Sequence, residues 1–226
     1  MAKIKFGMMM TDASGKLGGQ VFSKNRGGSY VRTKVTPTNP QTSAQSTIRG
    51  IFASISSRWS SLTDAQRASF NGFVQAYART DIFGDLRNPS GKSLFQRLNQ
   101  NLENSGQAQI DICTSPTEVP FANLTTAVAD ISDTSFDVAY SGDLTGNKIV
   151  VWATPQMSQG TKFVKNQLRQ LEVFAGVNAG TVDVWASYLA KFGAPVLGAN
   201  ISIAVRVINA NGQASPLEVV KAKVQA

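Results

Sequence analysis

Five cations stand close together early in the chain: Lys16, Lys24, Arg26, Arg32 and Lys34, with Phe22 and Tyr30 between them. Such a set can neutralise nucleic-acid phosphates while an aromatic ring stacks on a base. The same charges can grip acidic surface on a neighbouring protein, or simply stand solvated. No nucleic-acid-binding signature accompanies them. With Arg49 and Arg58 on the segment that follows, the residues singled out as anchors for a partner are Lys16, Lys24, Arg26, Tyr30, Arg32, Lys34, Arg49 and Arg58.

Other groupings carry less. Asn88-Pro89-Ser90-Gly91-Lys92-Ser93 ends like a phosphate loop, but the full motif needs glycine at position 86, where Leu86 stands. No strand is expected before it, so a serine-capped helix start with a solvated lysine is the plainer reading. Asp130, Asp133 and Asp137 are near in sequence, yet their spacing matches no known cation loop or acid pair. Cys113 has no neighbour that would activate it and reads as a structural thiol.

Composition excludes more than it suggests. There is no histidine and one cysteine in 226 residues. That removes imidazole catalysis and, within one chain, disulfides, zinc clusters and iron–sulfur sites. We therefore expect no catalytic site, no cofactor and no metal. Apolar runs fall far short of the ~20 residues of a membrane span, and Met8-Met9-Met10 is too short for a signal-peptide core. A reducing cytoplasm is the expected place of synthesis, and no membrane partner is expected.

Charge is sparse and uneven. Only 16% of residues are charged, against a usual ~25%, yet the formal balance is +8. Residues 1–100 carry 14 basic and 4 acidic side chains; residues 101–226 carry 8 and 10. Such asymmetry points to two modules with different work.

The elements that must position these groups follow from periodicity. Gln20–Ser23 and Ser29–Val35 alternate as short strands about Gly27-Gly28, predicting a hairpin over about 19–35 with a loose segment before it. An isolated hairpin is marginal in water and needs something to lie against. Pro37 and Pro40 stop the strand, and Asn39 suits a helix N-cap with Pro40 at the first helical position. Ile48, Ile51, Phe52, Ile55, Trp59 and Leu62 then recur on one helical face, expected to be bundle core. Thr63 and Gln66 form a capping-box pattern that starts a second helix bearing Phe70, Phe73, Val74 and Tyr77. After a loop over 81–88, Pro89-Ser90 opens a third helix with Leu94, Phe95, Leu98 and Leu102.

Residues 105–120 are polar and hold Pro116 and Pro120, which suits a linker, with a short strand possible over Gln109–Cys113. Beyond it the period becomes two. Strands are expected over 124–130, 135–140, 148–153, 168–174, 180–184, 200–208 and 217–224, with Trp152 and Trp185 in the core. Residues 183–192 read alternatively as a helical turn ended by Gly193. The fold class is α+β in two modules. A basic arm or hairpin (1–38) and a three-helix module (39–104) precede the linker (105–120) and an all-β sandwich (121–226).

Two stretches resemble known families. Arg206–Ser215, with its Asn209, Gly212 and Ser215, is similar to the last hairpin of fibronectin type III and related immunoglobulin-like modules. The pattern over 14–75 resembles small structural proteins of tailed bacteriophages. It is carried by Gly15-Lys16-Leu17-Gly18-Gly19-Gln20-Val21-Phe22, Tyr30-Val31-Arg32, Pro37–Thr42, Gln45, Arg49, Phe52, Trp59, Leu62–Arg67 and Phe70. The resemblance implies a structural role in the virion, made in the host bacterial cytoplasm. It would be an auxiliary or decoration component of the capsid or portal-tail region. Its partners would be other virion proteins in multiple copies. The alternative is a DNA-binding protein that coats or organises packaged nucleic acid.

Overall fold

The computed structural model describes residues 2–8, 10–158 and 160–225. The chain is α+β, with four helices and one large curled sheet among the described residues.

The expected hairpin forms as β3 (Gln20–Asn25) and β4 (Gly28–Thr33). The segment before it is not loose throughout. β1 (Ala2–Lys3) adds to β4, and β2 (Gly15–Leu17) adds to β3, giving the order β1-β4-β3-β2.

Helix α1 spans Ser43–Ser61 and is capped by Thr42, whose hydroxyl accepts from the Gln45 N–H at 3.3 Å. The expected cap at Asn39 does not form. Gln41 sits at φ +48°, a left-handed conformation that no helix can run through. Helix α2 (Asp64–Gly72) has the full Thr63–Gln66 capping box. It ends before Val74 and Tyr77, which the expected stripe had placed on it. β5 (Arg79–Thr80), just before the expected loop, and β6 (Leu86–Arg87), within it, pair as a small hairpin. β6 is the strand that sequence did not anticipate before Asn88–Ser93. Helix α3 (Gly91–Asn104) starts behind the Ser90 cap.

These helices bury Ile55, Leu62, Phe70, Leu94, Phe95 and Leu98 together, with Tyr77. At the centre the Phe70 and Phe95 rings meet edge to face at 5.1 Å, and Trp59 lies 5.3 Å from Phe95. The segment after α3 packs on this core. Buried Asn99 accepts from the Ile110 N–H at 2.7 Å and donates to the Ile110 carbonyl at 3.1 Å, taking the groups a strand ladder would need. The strand expected at 109–113 is therefore absent. Cys113 is buried in the cluster, and its N–H donates to the Ser69 hydroxyl at 3.1 Å.

Seven strands follow: β7 (Asn123–Asp130), β8 (Ser135–Asp143), β9 (Lys148–Ala153), β10 (Arg169–Ala175), β11 (Asn178–Asp183), β12 (Asn200–Ile208) and β13 (Glu218–Gln225). Their order is β10-β9-β12-β13-β7-β8-β11. A short parallel pairing of β13 with β7 joins a four-strand half to a three-strand half. Side chains from both halves share one core, including Phe136, Val138, Ile149, Val151, Ile201, Ile203, Val205 and Val207. The sheet therefore curls over itself as a sandwich does. Between β11 and β12, α4 (Trp185–Phe192) ends at Gly193, φ +82°, so the helical alternative for that stretch is the correct one. Trp185 packs on the core from this helix rather than from a strand. Trp152 lies outside the shared core because Ile149, Val151 and Ala153 take the inward positions of β9.

Two phenylalanines separate core from surface. Phe70 is fully buried, whereas Phe52 of α1 is 53% exposed. Phe70→Ala should lower stability to chemical unfolding by about 3–5 kcal/mol. Phe52→Ala should change it by no more than about 0.5 kcal/mol. Equal losses would contradict the placement of α1.

Candidate partner-docking surface

Among the described residues between 2 and 50, none is buried. The four-stranded sheet thus has no core of its own on either face. Its register decides which anchors share a face, since directly paired residues point the same way and neighbours along a strand point opposite ways. Lys16 pairs with Val21, Val21 with Arg32, and Lys3 with Tyr30. Lys16, Arg32 and Tyr30 therefore share one face with Lys3. Phe22 pairs with Val31 and lies on the other face, as does Lys24, opposite Ser29. The paired platform of Phe22 and Tyr30 that sequence suggested does not exist, because an even strand spacing across the hairpin turn puts them on opposite sides.

The remaining anchors differ in how free they are. Arg26 is exposed at the hairpin turn, and Lys34 is exposed just past β4. Lys24 reaches Asp12 at 3.1 Å. Arg49 donates to the Asn39 side chain at 2.8 Å. Arg58 makes a bidentate pair with Asp111, at 2.7 and 2.9 Å, which ties α1 to the segment after α3. That hydrogen bond holds the Asp111 carboxyl below its ordinary range and raises the Arg58 guanidinium.

A second charged group holds the sheet to the helices, and sequence reasoning missed it. Lys3 reaches Asp81 at 3.0 Å and Lys5 reaches Asp85 at 2.9 Å, while Arg87 bridges both acids. Lys5 also lies 5.4 Å from the Phe83 ring centroid. The available signal was that Asp81 and Asp85 are two of only four acids in residues 1–100. Burial raises the Asp81 carboxyl, but Lys3 and the backbone N–H groups of Phe83 and Asp85 outweigh it and hold the group well below the usual range.

Beside these charges lie uncovered apolar side chains. Ile55 and Leu62 of α1 are buried, but Ile48 and Phe52 of the same stripe are each 53% exposed. Ile82 and Leu86 of the β5–β6 hairpin stand out at 76% and 73%. The stripe expected to be core throughout is core only over its second half.

The other candidate groups resolve into ordinary structure. The Asp130 carboxylate accepts from the backbone N–H groups of Ser132 and Asp133 and from the Ser132 hydroxyl, forming a turn. Burial pushes the Cys113 thiol up, with Arg97 opposing. Ser90 caps α3 through the Ser93 N–H at 3.2 Å. No helix among the described residues is long and apolar enough to cross a membrane.

No family model matches the chain, and no curated protein matches it. Solved structures give low likenesses over about half of the chain. A Fn3-like protein from Clostridium thermocellum shares 14% identity at a TM-score of 0.30, covering 48% of this chain and 94% of that one. The third fibronectin III domain of human KIAA0343 protein shares 16% at 0.26, covering 50% and 90%. A family 76 glycoside hydrolase from a bovine Bacteroides thetaiotaomicron strain shares 14% at 0.33, and the match spans only 21% of its length. The immunoglobulin-like character of the carboxy-terminal half rests on its own strand order, with β7-β8-β11 facing β10-β9-β12-β13.

A depressed carboxylate stabilises the folded state above its unfolded pKa of ~3.9, and that contribution fades as pH falls toward the folded value. The β1 attachment through Asp81 should therefore be intact at neutral pH and loosen in strong acid. Asp81→Asn should loosen it at neutral pH, read as faster amide exchange at residues 2–5 relative to intrinsic rates. Unchanged exchange in the variant would rule out the ion cluster as the tether.

Proposed function

We propose that the chain is a structural protein of a tailed-phage virion, an auxiliary or decoration component of the capsid or of its portal-tail region. The observation that supports this most is the uncovered front of the molecule: four strands with no buried side chain, beside an exposed Ile48–Phe52 stripe. Apolar surface and fixed cations left open together fit a surface that another protein covers. Lys16, Arg26, Tyr30, Arg32 and Lys34 would meet acidic surface on neighbouring virion subunits. Ile48 and Phe52 would add apolar burial. Lys24, Arg49 and Arg58 are already engaged within the chain and would act mainly by holding the module in shape. The immunoglobulin-like half would serve as a spacer that projects or bridges copies, a role without chemistry.

The alternative, coating or organising packaged DNA, draws on the same cations but lacks the shared aromatic face that stacking needs.

Quantitative mass spectrometry of purified phage particles should find the chain in many copies. A chain lacking residues 1–38 should keep both buried cores yet drop out of the particles. Absence of the full chain from particles would overturn the proposal. A salt titration addresses the alternative: DNA binding that falls with a log–log slope of about −0.9 per phosphate contacted would favour it.

A further inference from the structure

The two halves meet at an open groove of about 710 Å³. On one side lie Tyr77, Arg79 and Arg97; on the other lie Arg206 of β12 and the turn after it. No aspartate or glutamate lines the groove. Among the described residues, none of these three arginines has an ion pair or donates a side-chain hydrogen bond. The Nε of Arg206 is enclosed and without a partner. Its position on β12 follows from alternation: Val205 and Val207 point into the sandwich core, so Arg206 points out of it, toward the helices.

This is an unusual thing for a protein to keep. A half-buried guanidinium without a counter-charge costs stability, and bringing arginines together adds repulsion. Burial, and then the charge of Arg79, lower both Arg97 and Arg206. The Arg97 guanidinium is held over the Tyr77 ring, 5.4 Å from its centroid. Tyr77 is fixed in turn by the Gln213 amide, which donates to its hydroxyl at 2.5 Å. Such guanidinium groups, fixed before binding, suit carboxylate or phosphate oxygens.

The rest of the lining chooses between those two. Ala76, Leu98, Pro116, Val119, Ala214 and Pro216 give the groove apolar walls. Its aromatic ring, Tyr77, is 8% exposed and covered by Arg97, so no face is open for a base to stack on. We propose that this groove binds an acidic peptide segment of a partner protein, whose carboxylates pair with Arg79, Arg97 and Arg206 while its aliphatic parts lie on the alanine and proline walls. The proposal is independent of the amino-terminal docking surface and stands whether or not the chain belongs to a virion.

The test uses the full chain and a short fluorescein-labelled peptide of glutamate and alanine, followed by anisotropy at low salt. Arg97→Gln and Arg206→Gln should each weaken binding about tenfold or more. Lys165→Gln, an exposed cation outside the groove, should leave it unchanged. In the absence of peptide, Arg206→Gln should unfold at the same or a higher temperature, because it removes an uncompensated charge. Peptide binding that is absent, or that Lys165→Gln weakens as much as Arg97→Gln, overturns the proposal. So does a single-stranded oligonucleotide that binds more tightly than the peptide and loses affinity in the same groove variants.

Discussion

A side chain leaves water only where other elements cover it, and in this chain that covering is confined to two places. One is the aromatic cluster of Trp59, Phe70 and Phe95 between the helices; the other is the interior of the curled sheet. Hydrophobic burial is the dominant favourable term in folding, so these clusters hold the molecule up. Among the described residues, the first fifty contribute no buried side chain to either. They are fastened by directional contacts: ladder hydrogen bonds, the Asp81 ion cluster, and Lys24 with Asp12. The Lys24–Asp12 pair stands in water, where such pairs contribute little, whereas the Asp81 carboxylate is covered. The rear of the molecule is well filled, and its front is thinly held.

The halves are joined by polar contacts. Gln213 donates to Tyr77 of the helical module and accepts from Thr117 of the connecting segment. Asn101 of α3 donates to the Gly212 carbonyl at 2.8 Å. Gly212 has to be glycine for two reasons: its φ is +74°, and a Cβ there would sit 2.4 Å from the Leu98 carbonyl oxygen. The Asn209–Ser215 turn that resembles a common sandwich hairpin therefore has a second task here. Asn209 folds the turn by accepting from the Gln213 N–H, and the turn then carries Gln213 to the helices. The residues that fix this joint also fix Tyr77, and through it Arg97, so joint and groove are one structure.

Local patterns were legible in the sequence where local physics decides. The Thr63–Gln66 box, the β3–β4 hairpin, and β9 and β12 to the residue could be read from capping and alternation. What could not be read depended on distant partners. Asn99 diverts 109–113 from a strand across eleven residues, and Gln41 delays α1 through a backbone angle that composition does not announce. Among the candidate anchors, spacing alone could not tell Arg58, engaged by Asp111, from Arg32, which is open. Nor could it show that Phe22 and Tyr30 face apart, since that follows from the register of the turn. The arginine groove was invisible because Arg79, Arg97 and Arg206 come together only when the halves meet.

Amide hydrogen exchange tests the central claim most directly, measured on the isolated chain and on the chain in its assembled particle. The account predicts that β3 and β4 exchange much faster than β12 in isolation and approach its protection once assembled. Protection of β3 and β4 equal to that of β12 in the isolated chain, unchanged by assembly, would contradict it.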